Sequence, residues 1–290
     1  MPETLATGFR KKFIYKYDWK IKTIKSFLTE NLIIHFLLRQ LKPTVKKKMF
    51  GSFPYLFGVN SGANTSQFEG REIARYVWKY KPKFKKYVIF DIGSNKGNWS
   101  SGFAKFGMSK NLGIIQSITI DPEIEPLNLI NWLSTQKSYK EELCAHSHHK
   151  IALSNVFESI FFDNGRVVKG VTASSQVIKP IPLDFFISTN GYIREEGDIW
   201  IMKLDIEGLE YKVLRESKIL REFQIIQFEI SPYSFDDSEN IDELLKIFEE
   251  YFHLFVVSPN GILEIDSGLL NCVVNKFGVT NLVAVQKSNE

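Results

Sequence analysis

Short apolar runs alternate with amphipathic stretches along most of the chain after residue 66. The runs are rich in β-branched and aromatic residues, which at this length favours buried parallel strands over helices. Five core strands are predicted at 86–91, 116–121, 149–153, 199–205 and 224–230, and strands at 253–257 and 282–285 close the sheet. Helices are predicted at 67–80, 97–106, 126–137 and 242–251, with one more from about residue 209. This alternation predicts an α/β fold with a doubly wound, mostly parallel sheet.

The region between the third and fourth strands departs from that alternation. Residues 157–182 predict hairpin strands, because Asp163-Asn164-Gly165 is a strong turn signal between two apolar segments. Loops on a rigid scaffold commonly carry binding specificity. We therefore expect loops such as 157–198 to determine what the protein acts on.

The first 66 residues have a different composition from the rest. Residues 1–50 hold 12 Lys and Arg against 3 Asp and Glu, whereas the whole chain has a formal net charge of only +4. Apolar positions between Ile21 and Leu41 recur at helical spacing and predict an amphipathic helix. The Gly-, Ser- and Asn-rich segment 51–66 predicts a linker. The predicted organisation is a basic, partly helical extension over 1–66 and an α/β domain over 67–290.

Three roles for this basic helix stay open. It can dock on the main domain, or residues 10–48 can make a peripheral membrane or protein contact, since basic amphipathic helices are attracted to anionic lipid. Nucleic acid is the least favoured partner, because only the short run Lys46–Lys48 supports it and no nucleic-acid motif accompanies it. The most apolar run, 31–38, is too short to span a bilayer.

The overall composition is that of an ordinary soluble protein, with 44% hydrophobic and 24% charged residues, which excludes disordered and collagen-like chains. The two cysteines have no Cys-x-x-Cys spacing, so a reducing compartment is expected and a structural zinc site is disfavoured. The first 20 residues lack the apolar stretch of a signal peptide. We therefore expect a cytoplasmic protein, with peripheral membrane attachment as an option.

The turn after the first strand carries the clearest candidate chemistry. Gly93 and Gly97 let the backbone turn tightly and approach a ligand closely. Asn95 occupies a position that suits a left-handed residue. The candidate cofactor-binding residues of this turn are Asp91, Gly93, Ser94, Asn95, Gly97, Asn98 and Trp99.

Three cofactor classes compete for this turn. A P-loop requires Gly-x-x-x-x-Gly-Lys-Ser/Thr and an NAD site requires Gly-x-Gly-x-x-Gly, and the sequence supplies neither. An acid at the end of the strand followed by Gly-x-x-x-Gly suits a cationic nucleoside without a pyrophosphate, such as S-adenosylmethionine. Asp121 ends the second strand, where an acid can accept both ribose hydroxyls. Glu123 and Glu125 are alternatives for that role, and a helix cap or a first-turn charge is the structural alternative for all three.

The fourth strand holds a second group of charged residues. Side chains alternate along a strand, so Lys203 and Asp205 share one face, and Glu207 follows beyond the carboxyl edge. Charges in a central strand are costly unless they are paired or used in function. Lys203 and Asp205 could form a purely structural pair, or these residues could hold or activate a substrate. If the strand order is 3-2-1-4-5, Asp91, Asp205 and Glu229 of the fifth strand converge on one crevice.

Three further signals are weaker. A cluster of carboxylates could hold Mg²⁺, but we predict no metal. The segment 144–149 contains one cysteine and three histidines at a spacing that matches no zinc motif, so we expect a polar loop before the third strand. Ser231-Pro232-Tyr233 is faintly similar to a signature of methyltransferases that act on the amino groups of bases, but it follows the wrong strand.

Taken together, these segments resemble the FkbM-type methyltransferase family over about residues 87–258. The resemblance rests on 91–100, Ile151-Ala-Leu-Ser, Pro182-Leu-Asp184, the segment 203–210 with Val213-Leu214, and Phe228-Glu229. It implies a class I, Rossmann-like methyltransferase fold, S-adenosylmethionine as cofactor, and methyl transfer, often to a hydroxyl of a sugar or secondary metabolite. The family commonly has Glu-Pro at the end of the second strand, where this chain has Asp121-Pro122. Residues 1–66 lie outside the resemblance.

An alcohol acceptor must be aligned with the methyl group and needs a base or a charge sink. The candidate catalytic residues are Asp205, with Glu207 or Glu229, as proton acceptor, and Lys203 as the group that orients the carboxylate. The expected acceptor is a saccharide or a small molecule. The alternative is a non-catalytic, cofactor-binding partner in a glycan- or membrane-associated assembly.

Overall fold

The computed structural model describes residues 65–80, 86–136, 143–155, 157–163, 166–168, 176–206, 208–230, 241–258, 261–265 and 280–287. Three of the predictions fall outside these ranges. They are the amphipathic helix, the contact segment 10–48 and the role of Glu207. The domain boundary at residue 66 stays a prediction.

The described residues form six α-helices and thirteen strands. The helices are α1 (Thr65–Tyr80), α2 (Asn98–Ser109), α3 (Leu127–Thr135), α4 (Leu183–Thr189), α5 (Glu210–Glu216) and α6 (Ile241–Tyr251), with a 3-10 turn at Lys218–Glu222. The strands are β1 (Lys86–Ile92), β2 (Ile114–Ile120), β3 (Cys144–His149), β4 (Leu153–Ser154), β5 (Ile160–Asp163), β6 (Arg166–Val168), β7 (Gln176–Ile178), β8 (Ile181–Pro182), β9 (Asp198–Leu204), β10 (Ile225–Ile230), β11 (Phe252–Ser258), β12 (Gly261–Glu264) and β13 (Thr280–Gln286).

Eight strands form one twisted sheet in the order β12-β11-β13-β10-β9-β1-β2-β3. The pairs from β3 to β10 are parallel, whereas β13 runs antiparallel to both of its neighbours, β10 and β11. Parallel neighbours require crossover connections, which the helices supply. The predicted doubly wound α/β fold is confirmed, including the central order 3-2-1-4-5.

The two faces of the sheet bury separate cores. Val88, Phe90 and Ile92 of β1 point to one face and pack with α4, α5 and α6. Tyr87 and Ile89 point to the other face and pack with α1, α2 and α3. Burial on both faces explains why the central strands are apolar runs rather than alternating patterns.

Helices α1 and α2 approach each other backbone to backbone. A Cβ atom added at Gly70 would lie 2.1 Å from the carbonyl oxygen of Trp99, and one added at Gly102 would lie 2.0 Å from that of Gln67. Only glycine permits such an approach at both positions. The contact fixes the rotation of α1 about its axis, so Glu69, beside Gly70, is turned into the protein interior, where it is 7% exposed.

The structure corrects the sequence interpretation around the third strand. That strand is Cys144–His149 instead of 149–153, so the segment 144–149 is a strand and not a polar loop. Its histidines are tolerated because β3 lies at the sheet edge, where only Cys144 is fully buried. The hairpin is confirmed, since Asp163 pairs with Arg166 across the turn. Helix α4 was not predicted, and among the described helices none is long and apolar enough to cross a bilayer.

Candidate active site

A cavity of about 460 Å³ opens at the carboxyl ends of β1, β2 and β9. Ligand sites in open α/β sheets lie at this edge, and small-molecule pockets span roughly 300–1,000 Å³. The walls come from the β1–α2 turn, the segment after β2, the β3–β4 connection, the segment after β9 and Ser66 of α1. Gly93, Ser94, Asn95, Asn98, Trp99, Asp121, Lys203 and Asp205 line it, whereas Asp91, Gly97 and Glu229 do not.

The β1–α2 turn folds against the end of β9. Gly93 has φ 70°, and a Cβ atom there would lie 1.6 Å from the carbonyl oxygen of Asp205. Gly97 also has a positive φ, 72°, and the predicted left-handed conformation of Asn95 is confirmed at φ 48°. Two backbone N–H groups, of Gly93 and Ser94, donate to the carbonyl oxygen of Ile120. The turn is therefore held from both sides.

A row of polar side chains crosses the sheet just below the cavity. In register, Thr119 of β2 stands beside Asp91 of β1, Asp91 beside Lys203 of β9, and Lys203 beside Gln227 of β10. All four residues are buried and face the α1–α2 side. A polar layer this deep is costly unless each group is paired.

Lys203 is the centre of the row. Its Nζ donates to the carbonyl oxygen of Gly93 at 2.8 Å and lies 3.1 Å from Asp205 Oδ2 and 3.7 Å from Asp91 Oδ1. Burial alone would lower the pKa of Lys203, but Asp205 and Asp91 outweigh burial and the pKa is raised. Lys203 is therefore a fixed cation and cannot serve as a base at neutral pH.

The two carboxylates that flank Lys203 have different surroundings. Asp91 is fully buried, and its Oδ2 accepts from the hydroxyl of Ser100 at 2.6 Å and from the backbone N–H of the same residue. Burial raises the pKa of Asp91, and Lys203 opposes the rise. The side chain of Asp205 is 31% exposed and lines the cavity. Asp205 is thus the carboxylate of the pair that a ligand can reach.

Asp121 holds the backbone of its own loop together. Its Oδ1 accepts from the N–H groups of Glu123 and Ile124, and its Oδ2 accepts from the N–H of Asn95. These three bonds tie the segment after β2 to the β1–α2 turn. Glu123 also lines the cavity and is half-buried, whereas Glu125 is exposed and does not line it.

Glu210 is a buried residue of this site that the sequence interpretation missed. Its two carboxylate oxygens accept from the N–H groups of Ile206 and Gly208, at 2.7 and 2.8 Å. Burial raises its pKa to about 7. Glu210 closes the loop between β9 and α5 and so fixes the position of Asp205. A Glu at the first turn of a helix is the only sequence signal for this role.

Two buried oxygen atoms near the cavity have no hydrogen-bond partner among the described residues. They are Ser94 Oγ, in the cavity wall, and Asp91 Oδ1, behind it. Buried polar atoms are normally paired, so atoms of this kind mark positions where a ligand or water completes the set. No group of three or more His, Cys, Asp or Glu within the described ranges is arranged to hold a metal ion.

The remaining site predictions are placed as follows. Glu229 lies on β10 opposite Asn281 of β13, beyond the end of the pairing with β9. Trp99 is packed in the core at 1% exposure, and its indole N–H donates to Gln227 Oε1 at 2.9 Å. Asn98 accepts a hydrogen bond from Asn128 of α3. The structure therefore brings Lys203 and Asp205 together with the glycine turn, and Glu229 stands apart from the cavity.

Comparison with known proteins identifies one family. The family model "Methyltransferase FkbM domain" matches residues 91–253, more than half of the chain. No curated protein matches the chain.

Several solved structures are similar at low identity. Methyltransferase FkbM from Methylobacillus flagellatus shares 18% identity over 70% of this chain and 44% of its own, with a TM-score of 0.38. A Listeria monocytogenes protein, provisionally described as a class I S-adenosylmethionine-dependent methyltransferase, shares 13% identity over 87% and 71%, with a TM-score of 0.35. An S-adenosylmethionine-dependent methyltransferase from Clostridium acetobutylicum shares 8% over 84% and 97%, with a TM-score of 0.32. The chain thus spans less than half the length of the Methylobacillus protein.

Proposed function

Because the chain belongs to the methyltransferase FkbM family, we propose that it moves the methyl group of S-adenosylmethionine to a hydroxyl oxygen of a saccharide or a glycosylated metabolite. The observation that carries the proposal is Asp205. It is a partly exposed carboxylate at the cavity, held by Lys203 beside the glycine turn. A carboxylate at this place can take the proton of an alcohol acceptor.

The residues of the cavity fit this cofactor. S-adenosylmethionine supplies a methyl group on a sulfonium leaving group, together with an ammonium, a carboxylate and a ribose. Ser94 Oγ is an unpaired buried oxygen in the wall, and Gly93 leaves no side chain between the wall and a ligand. Asp205 and Glu123 add negative charge for a cationic ligand.

Ribose recognition is shared, in this proposal, by Asp121 and Glu123. A carboxylate has about four acceptor positions, and Asp121 already accepts three backbone N–H bonds. It therefore keeps about one position for a ribose diol that has two hydroxyl donors. Glu123, two residues further on in the cavity wall, supplies the other acceptor.

A calorimetric titration with S-adenosylmethionine, and separately with NAD, tests cofactor binding. We expect saturable binding of the first and none of the second. Glu123→Gln should weaken binding about tenfold, because hydrogen bonds to a charged group contribute roughly 1.5–3 kcal/mol. The matched control is Glu125→Gln, since Glu125 is exposed and outside the cavity wall. Equal affinities for the two variants would remove Glu123 from the site.

The role of Asp205 is tested with a panel of saccharide acceptors and S-adenosylmethionine labelled in the methyl group. We expect Asp205→Asn to keep cofactor affinity but to lower the rate of transfer about 100-fold, the lower end of the range for a general base, because an amide can still hold the acceptor hydroxyl. Near-normal turnover in this variant would refute the assignment. Cofactor binding without turnover on any acceptor would favour the non-catalytic alternative.

A further inference from the structure

A buried carboxyl group of α1 stands behind the cavity and is not used in the transfer proposed above. Glu69 lies outside the segment that matches the family, and it is 7% exposed. Its Oε2 accepts from Gln227 Nε2 at 2.9 Å, and its Oε1 accepts from Asn281 Nδ2 at 3.0 Å. Its two neighbours lie 158 and 212 residues away along the chain.

A chain of hydrogen bonds joins Glu69 to the cavity wall. Gln227 donates to Glu69 and accepts from the indole N–H of Trp99, which lines the cavity. Gln227 also stands in register beside Lys203. The amide of Gln227 cannot turn over without placing its NH₂ group against the Trp99 donor. Its orientation is therefore set, and its N–H group favours an anionic acceptor at Glu69.

The charges around Glu69 do not cancel. Asp205, beyond β9, raises the pKa of Glu69 and Lys203 of β9 lowers it, whereas β10 and β13 present the neutral amides of Gln227 and Asn281. On α1 itself, Glu72 is engaged with Arg71 and Arg75. Burial is the largest influence and raises the pKa of Glu69 to about 7. Asp91, Asp205 and Glu69 thus place three carboxyl groups around the single ammonium group of Lys203 among the described residues.

We propose that Glu69 is a positioning residue that adjusts the charge of the site to the charge of its ligand. S-adenosylmethionine carries a net charge of +1, and S-adenosylhomocysteine, left after methyl transfer, carries none. When the cation enters the cavity, the Glu69 carboxyl group releases its proton to solvent. When the neutral thioether replaces it, the carboxylate takes a proton back. The site thereby prefers the methyl donor to the spent product. This inference rests on the proposed function, because it requires S-adenosylmethionine in the cavity.

The direction of the pH dependence follows from proton linkage. Binding that releases a proton weakens as the pH falls, because the proton must first be removed. If the cofactor lowers the pKa of Glu69 by about one unit, affinity falls by up to about tenfold between pH 8.5 and pH 5.5. Glu69→Gln mimics the protonated state and should bind with the low-pH affinity at every pH. An amide turn at Asn281 lets the new NH₂ group donate to it, so the variant keeps both bonds.

The experiment is calorimetric titration of the full chain with S-adenosylmethionine at pH 7 in phosphate and in Tris, whose ionisation enthalpies differ. The expected result for the wild type is net proton release with S-adenosylmethionine and clearly less with S-adenosylhomocysteine. Glu69→Gln should abolish the release. Glu72→Gln is the matched control, because Glu72 is equally buried on the same helix and outside the chain of bonds to Trp99. It should leave the release unchanged.

A second measurement needs only the wild type and an assignment variant. The ¹⁵N-labelled indole signal of Trp99, assigned with Trp99→Phe, should titrate between pH 5.5 and 8.5 without cofactor, with a midpoint near the pKa of about 7 of Glu69. A flat signal overturns the proposal. So does a proton release that persists in Glu69→Gln or is equal for both ligands. Absence of any binding heat from a folded wild type overturns the proposed function as well, whereas heat without proton release overturns this proposal alone.

Discussion

Lys203→Met is expected to lower the free energy of unfolding by about 3–5 kcal/mol, the usual loss when one partner of a buried ion pair is removed. The ammonium group is 7% exposed and holds Asp91, Asp205 and the carbonyl oxygen of Gly93 at once. Without it, the fully buried Asp91 carboxylate keeps only Ser100 as a donor. Urea denaturation at pH 8 measures the loss.

The same experiment has a pH signature. The folded-state pKa of Asp91 is already raised by burial, and removing Lys203 raises it further. A carboxyl group with a raised folded-state pKa stabilises the fold at low pH and less as the pH increases through that pKa. Lys203→Met should therefore be less damaging at pH 5.5 than at pH 8. Adding Asp91→Asn should restore part of the loss, and Lys105→Met, at a lysine that lies over the Trp132 ring, is the control with little effect. Equal losses for the two lysines would contradict the buried-pair interpretation.

Gly93→Ala is expected to abolish cofactor binding and to lower the free energy of unfolding by about 4 kcal/mol or more. A positive φ costs an alanine roughly 1–2 kcal/mol. The added Cβ atom would also lie 1.6 Å from the carbonyl oxygen of Asp205, so the β1–α2 turn and the end of β9 must separate. Overpacking of this kind costs roughly a further 1–3 kcal/mol, and sometimes more. Urea denaturation and titration with S-adenosylmethionine measure the two effects.

Gly191→Ala separates strain from collision. Gly191 has φ 67°, almost that of Gly93, but nothing lies within 4 Å of the position of its Cβ atom. This control should lose only about 1–2 kcal/mol from backbone strain and keep cofactor affinity. If both variants lose the same stability, the close approach of the turn to Asp205 has no energetic weight.

The central strands and the glycine turn could be predicted because their physics is local. A buried parallel strand needs an apolar run, and the turn needs residues that accept positive φ, as Gly93 and Asn95 do. The pairing of Lys203 with Asp205 was open from the sequence, and the structure makes it a three-way contact with Asp91. Register explains this, since equivalent positions near the ends of adjacent strands fall in one row.

Other features depend on partners that a local pattern does not contain. The polar segment 144–149 gave no strand signal, because an edge strand can be built from side chains that bond a neighbour, as His146 and His148 do with Thr119. Glu69 would pass for a surface residue of an amphipathic helix, because the amides that bury it come from β10 and β13. The local bonds of Asp121 were foreseen only as a general capping alternative.

The bond between Glu69 and Asn281 also constrains the order in which the molecule can be completed. During synthesis on the ribosome, α1 emerges more than 200 residues before β13, the strand that separates β10 from β11. Until β13 arrives, the buried face of α1 lacks one donor and the sheet has a gap between two of its strands. Domains fold as units, and contacts distant in sequence form late. A nascent chain that stops before residue 280 therefore cannot close the core under α1, which makes the nearly finished polypeptide the first species able to fold.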